Sequence, residues 1–202
     1  MRNSELNEVQ VTEIRKAYRR YLSRTIKPNY FLTFNFNYEV VAKHGDAKMR
    51  HFFCAIQKKV YGRRWNKQLA REWPTAIGFW EHHPKYHPAQ SGNPHWHVLA
   101  KVDERLGRAL QEKGPTLWQE IIPGGSLDVQ AVDPPGKWEP IRYSTKGLWK
   151  QEAVDNVFTY CDTRPKSLTA NQEFDQVLCA LEARIIDDLK LGSFVRRMSK
   201  QF

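Results

Sequence analysis

Cysteine is scarce in this 202-residue chain, which has three: Cys54, Cys161 and Cys179. They are odd in number and widely spaced, with no Cys-X-X-Cys pair, which argues against a disulfide scaffold and fits a reducing compartment. No apolar run approaches the roughly 20 residues that a membrane-spanning helix needs. The opening "MRNSELNEVQ" is no signal peptide. These absences predict a cytoplasmic protein with no membrane partner. No GxxxxGK phosphate loop occurs, so no helicase or ATPase domain is expected. Internal repeats, low-complexity tracts and long linkers are missing too, so residues 1–202 read as one domain. Acidic residues are outnumbered, 22 against 32 Lys and Arg, for a net charge of +10. That balance favours a polyanionic partner, of which nucleic acid is the commonest.

What is present alternates between helical and strand patterns. Val11, Ile14, Tyr18 and Tyr21 recur at helical spacing and predict a first helix over about 10–24. "YFLTFNFNY" (30–38) reads as a strand with one polar face, Phe34 and Phe36 alternating against Thr33, Asn35 and Asn37. Met49, Phe52, Phe53, Ile56 and Val60 mark a second helix. "TAIGFWEH" (75–82) and "PHWHVLAKV" (94–102) are strands joined through a Pro- and Gly-containing loop. Residues 103–120 look helical, interrupted at Gly114-Pro115. Then come a strand at 125–132, a turn, a short helical or turn-like segment at 141–150, and a strand at 157–161. A last helix is expected over about 171–190. The order predicts an α+β ferredoxin-like (RRM-like) antiparallel sheet of about five strands, core about 28–165, with helices on one face and the other face open for a ligand.

The chemistry gathers in two short stretches. In "PHWHVL", His95 and His97 stand at i and i+2 of a strand and so share a face, while Trp96 points into the core. Glu81, on the preceding strand, supplies a carboxylate to complete two imidazoles and one oxygen, a donor set suited to a catalytic divalent ion. His83 shares the face of Glu81 and is its substitute as a ligand. His82 and His87 read as loop residues. In "RYSTKG", Tyr143 and Lys146 lie at helical i, i+3 spacing, so a phenol and an ammonium can project together. A tyrosine nucleophile must lose its proton during attack, and an adjacent lysine favours that charge.

Taken in order, the apolar strand "FLTFNFN", the His-hydrophobic-His of "PHWHVLAKV" and the Tyr-x-x-Lys of "YSTKG" resemble the three motifs of the HUH endonucleases. These enzymes nick single-stranded DNA as rolling-circle replication initiators, relaxases and some transposases. The resemblance spans residues 31–146. It implies Mn²⁺ or Mg²⁺ held by His95, His97 and Glu81, and Tyr143 attacking a DNA phosphate with Lys146 assisting. The products would be a 5′-phosphotyrosine and a free 3′-hydroxyl, and the expected role is initiation of plasmid or phage replication. The implied partners are single-stranded or origin-hairpin DNA and a host helicase. One tyrosine in the third motif points to single-tyrosine initiators. Tyr160 is a rival nucleophile but has Thr163, not lysine, at i+3. A transposase or relaxase of the same chemistry is the near alternative, and a non-catalytic nucleic-acid-binding module of the same fold is the alternative from another class.

"KKVYGRRWNK" (58–67) mixes cations with aromatics, as phosphate contacts and base stacking require. Lys58, Lys59, Arg63, Arg64 and Trp65 are its candidate DNA-binding residues. The basic tail "FVRRMSK" is a further candidate contact.

Overall fold

The computed structural model describes residues 8–38, 40–67, 73–81, 94–148 and 156–160. All of them lie in the first of two compact units, Met1–Asp162 and Thr163–Phe202. The expected helix at 171–190 and the basic tail therefore fall outside the described residues.

The elements follow in the order α1 (Glu8–Tyr21), a π-helical turn (Leu22–Ile26), β1 (Tyr30–Asn35), α2 (Ala42–Tyr61), a 3-10 turn (Gly62–Lys67), β2 (Thr75–Glu81), β3 (His95–Lys101), α3 (Glu104–Ile121), β4 (Ser126–Ala131), α4 (Trp138–Ser144), a 3-10 turn (Thr145–Gly147) and β5 (Val157–Tyr160). The sheet order is β4-β1-β3-β2-β5, with every neighbouring pair antiparallel. This is the α+β ferredoxin-like arrangement, extended by β5 beside β2.

Strand alternation divides the side chains between two layers. Leu32, Phe34, Trp96, Val98 and Ala100 face α2 and α3 and meet Met49, Phe52, Phe53, Ile56, Leu110 and Trp118 in the main core. The fit is close: a Cβ at Gly45 of α2 would stand 2.3 Å from the Trp96 ring. Asp103 caps α3, its carboxylate accepting from the Leu106 amide at 2.8 Å. The expected interruption at Gly114-Pro115 does not occur, and α3 runs unbroken through Pro115. An interior proline costs roughly 3 kcal/mol. Burial of Leu106, Leu110, Leu117 and Trp118 along one face outweighs it, at roughly 1.5–3 kcal/mol per large side chain. The second helix likewise begins earlier than its apolar stripe suggests, at Ala42.

The second face of the sheet is not left open along its whole length, as a sheet with helices on one side only would be. Phe31, Ile77, Phe79 and Leu99 are covered by Leu22, Ile26, Ile141 and Leu148, with Tyr18 and Tyr21 of α1 alongside. These four sheet residues are apolar and need a cover. The polar end of the same face, with Thr33, Asn35, Glu81, His95 and His97, has no such requirement. Gly136, at φ 81°, lets the β4–α4 turn approach Ser23 and Lys27, where a Cβ would lie 3.2 Å from the Ser23 carbonyl.

Candidate metal and nucleophile site

Register builds the site. β2 and β3 pair Glu81 directly with His95, and β1 and β3 pair Thr33 with His97. Since His95 and His97 share a face, all four side chains emerge on the same side of three adjacent strands. Glu81 Oε2 lies 3.0 Å from His97 Nε2 and 3.5 Å from His95 Nε2. One ligand atom from each of Glu81, His95 and His97 falls within 4.8 Å of the others, so the three could hold a metal ion. Metal bonds of about 2.1 Å at right angles put neighbouring donors about 3.0 Å apart; the Glu81–His97 pair stands at that spacing and the Glu81–His95 pair is wider by 0.5 Å. Two nitrogens and one carboxylate on one side of the ion leave positions for solvent or substrate.

Thr33, which the sequence did not single out as a site residue, completes the arrangement. Its Oγ1 lies 3.2 Å from His97 Nδ1. With an ion bound at Nε2, Nδ1–H would donate to this hydroxyl, as a metal-ligating histidine requires; without one, a neutral ring donates Nε2–H to Glu81 and accepts at Nδ1 from the Thr33 hydroxyl. Phe31 stacks on the His97 ring at 5.4 Å and fixes its plane. The polar alternation of β1 was visible in the sequence, but its pairing with His97 is a property of the register.

Tyr143 and Lys146 come to this cluster from α4 and the turn after it. The Tyr143 ring lies 4.9 Å from His97 and packs edge-on to Phe31 at 6.1 Å, yet the residue stays 48% exposed. That exposure leaves the phenol accessible from solvent. Lys146 Nζ sits 3.8 Å from the Tyr143 ring centroid and 3.2 Å from Glu81 Oε1, joining phenol and carboxylate. Ile141 and Leu148, both fully buried, anchor the segment in the second core. Two arginines of α1 hold it from the other side: Arg15 Nε donates to the Leu148 carbonyl (3.0 Å) and Arg19 Nε to Thr145 Oγ1 (2.8 Å).

The electrostatics favour a charged carboxylate beside neutral imidazole. Burial by itself would raise the Glu81 carboxyl. Hydrogen bonds with His95, His97 and Lys146 outweigh burial and hold it well below the usual carboxylate range. Burial lowers His97, with the neighbouring His95 and Lys146 adding to the effect and Glu81 partly opposing it. For Lys146, burial is outweighed by hydrogen bonding to Tyr143 and Glu81, which raises its proton affinity. It is therefore a fixed cation and not a base.

Tyr160 is not brought to this cluster. It belongs to the main core on the other side of the sheet, stacked on Phe53 at 5.0 Å. Its hydroxyl accepts from Gln57 Nε2 at 2.7 Å, and burial pushes its proton affinity far up. Trp96 is buried, as its alternation with the histidines predicts. His82, His83 and His87 lie outside the described residues, so the exchange of His83 for Glu81 stays open.

The 58–67 segment does not adjoin the triad. α2 packs on the opposite face of the sheet, and its C-terminus meets the far end of β3. There the Val60 carbonyl accepts from Arg105 at 2.7 Å and the Tyr61 hydroxyl donates to Asp103. Lys58, Lys59 and Arg63 are exposed, Lys59 being 3.4 Å from Glu120. Trp65 is half-buried and lies 5.8 Å from Trp73. The side chain of Arg64 is outside the described residues. No helix among the described residues is long and apolar enough to cross a membrane.

No protein-family model, curated protein or solved structure matches this chain.

Proposed function

We propose that this protein is a metal-dependent, sequence-specific endonuclease that nicks single-stranded DNA through Tyr143 and initiates rolling-circle replication of a plasmid or phage in the cytoplasm. The observation that carries the reading is convergence. Tyr143 and Lys146, far along the chain from the histidines, pack against the side chains of His97 and Glu81. An isolated Tyr-x-x-Lys would be a common accident, whereas one placed on a two-histidine, one-carboxylate cluster has a use for each group.

Mn²⁺ or Mg²⁺ held by Glu81, His95 and His97 would polarise the scissile phosphate as a Lewis acid. The Tyr143 oxygen attacks phosphorus as the P–O3′ bond breaks. The phenol gives up its proton, and the departing O3′ gains one to become a hydroxyl. The DNA 5′ end is left on Tyr143, and attack by a 3′-hydroxyl reverses the step and reseals or transfers the strand. Lys146, held cationic, favours the phenolate and offsets charge gathering on the phosphate. Thr33 and Phe31 fix the His97 ring, so the site is oriented before substrate arrives. The partners in this reading are single-stranded or origin-hairpin DNA and a host helicase that opens the duplex.

The test is a denaturing gel. The protein is incubated with a random pool and with candidate origin strands of single-stranded DNA in Mn²⁺, with and without EDTA. A metal-dependent protein–DNA adduct should form with wild type and Tyr160→Phe, and vanish with Tyr143→Phe. Loss only with Tyr160→Phe would move the nucleophile. Binding without an adduct on any strand would favour a non-catalytic module of the same fold.

A further inference from the structure

Arg15 and Arg19 lie one turn apart on α1, and so on one face of that helix. Both reach the segment that carries the tyrosine, each through Nε alone: Arg15 to the Leu148 carbonyl and Arg19 to Thr145 Oγ1. Arg142 comes immediately before Tyr143 and is exposed. Two guanidinium groups thus bind the stretch from 142 to 148, and the stretch itself begins with a third. Among the described residues, none of the three pairs with a carboxylate. Burial, then the charges of Arg15 and Arg142, lower the proton affinity of Arg19, so Arg19 lies within repelling distance of each of the other two.

Like charges gathered without a counter-charge are unfavourable until an anion arrives. Two of these groups are also preorganised. With Nε tied to the protein, the remaining guanidinium nitrogens of Arg15 and Arg19 form fixed forks of the kind that grip phosphate. Beside them Trp138, at the start of α4, is 47% exposed, and the Arg19 guanidinium stands 5.9 Å from its ring centroid. An exposed indole next to arginines is a platform on which a nucleobase stacks.

We infer that Arg15, Arg19, Arg142 and Trp138 form a subsite for the single-stranded DNA that flanks the scissile phosphate, the arginines taking backbone phosphates and Trp138 stacking one base. This rests on the proposed nicking activity, and it moves the DNA grip from the 58–67 segment to the α1–α4 surface next to the nucleophile.

Fluorescence anisotropy with a labelled single-stranded oligonucleotide and the full chain tests it, using Arg142→Gln, Trp138→Ala and the double variant Arg15→Gln/Arg142→Gln. Lys16→Gln on the same helix is the charge control, since Lys16 pairs with Glu13. Trp138→Ala should weaken binding about tenfold. The double variant should flatten the slope of log affinity against log salt by about 0.7 for each phosphate that is no longer neutralised. A merely structural role for Arg15 would change thermal stability but not that slope. Unchanged affinity and slope in these variants, or a larger loss from Lys58→Gln/Arg63→Gln, would overturn the subsite while leaving the adduct assay to judge the nickase. Failure of the wild type to bind or to form an adduct would remove both readings.

Discussion

Thr33 and His97 face each other across the β1–β3 ladder, with Thr33 Oγ1 3.2 Å from His97 Nδ1. The opposite nitrogen of the same ring lies 3.0 Å from Glu81 Oε2. One imidazole is thus held at both ends, by a hydroxyl on one neighbouring strand and a carboxylate on the other. Thr33→Val keeps the shape and removes the hydroxyl. Metal affinity should fall at least about tenfold, the lower range for losing a partner that orients a ligand. Titration calorimetry with Mn²⁺ measures this, with circular dichroism to verify the fold. An unchanged affinity would mean that Thr33 has no part in directing the ring.

Lys146 provides a test that separates the proposed metal binding from the proposed catalysis. Its ammonium is half-exposed beside Glu81 and lies over the Tyr143 ring. Lys146→Gln should change Mn²⁺ affinity by less than about fivefold, the scale of a partly exposed ion pair. The rate of adduct formation should fall about a hundredfold, as for loss of one positioned catalytic group. Equal losses in the two measurements would assign Lys146 to the metal site alone.

His97 predicts a pH dependence for the metal-free protein. Its folded-state proton affinity lies below the ordinary value of 6.5. Between those two values the unfolded chain binds a proton that folded His97 refuses. The stability it contributes is therefore present above pH 6.5 and is lost as pH falls through the lowered value. Urea unfolding in EDTA between about pH 5 and 7 should show stability rising with pH. His97→Gln should reduce that slope by up to about 1.4 kcal/mol per pH unit, one proton's worth. Identical slopes for the two proteins would show that the imidazole titrates normally in the folded state.

Gly45 tests the other side of the sheet. Its missing Cβ leaves room for the Trp96 ring, 2.3 Å from where that atom would stand. Gly45→Ala gains about 1 kcal/mol of helix propensity but overpacks the core, where extra methyl groups typically cost about 1–3 kcal/mol. A lower urea midpoint with an unchanged m-value is expected. Because Trp96 lies between the two histidines, metal affinity should drop as well. A variant more stable than wild type would show that the ring moves aside freely.

The strand and helix patterns, and most of the sheet's membership, are legible in the chain before it folds. Hydrophobic patterning is local: Phe34 and Phe36 alternate against Thr33, Asn35 and Asn37, and "HWHVLAK" carries an apolar run of strand length. The same alternation puts His95 and His97 on one face, because the period of a strand is two. The Glu81 assignment follows from its position at the end of the preceding strand.

Long-range packing settles the rest. Register, which sets Thr33 opposite His97 and Glu81 opposite His95, depends on pairing between distant segments that no local pattern encodes. α3 continues through Pro115 because core burial outweighs a local penalty. Tyr143 and Tyr160 are both aromatic residues in short motifs, and the sheet separates them: Tyr160 is buried against α2, whereas Tyr143 remains half-exposed beside His97. The arginines of α1 read in sequence as an amphipathic helix's polar face. Folding α1 across the apolar half of the sheet is what carries them to the tyrosine segment, because Phe31, Ile77, Phe79 and Leu99 need a cover and α1 helps to supply it.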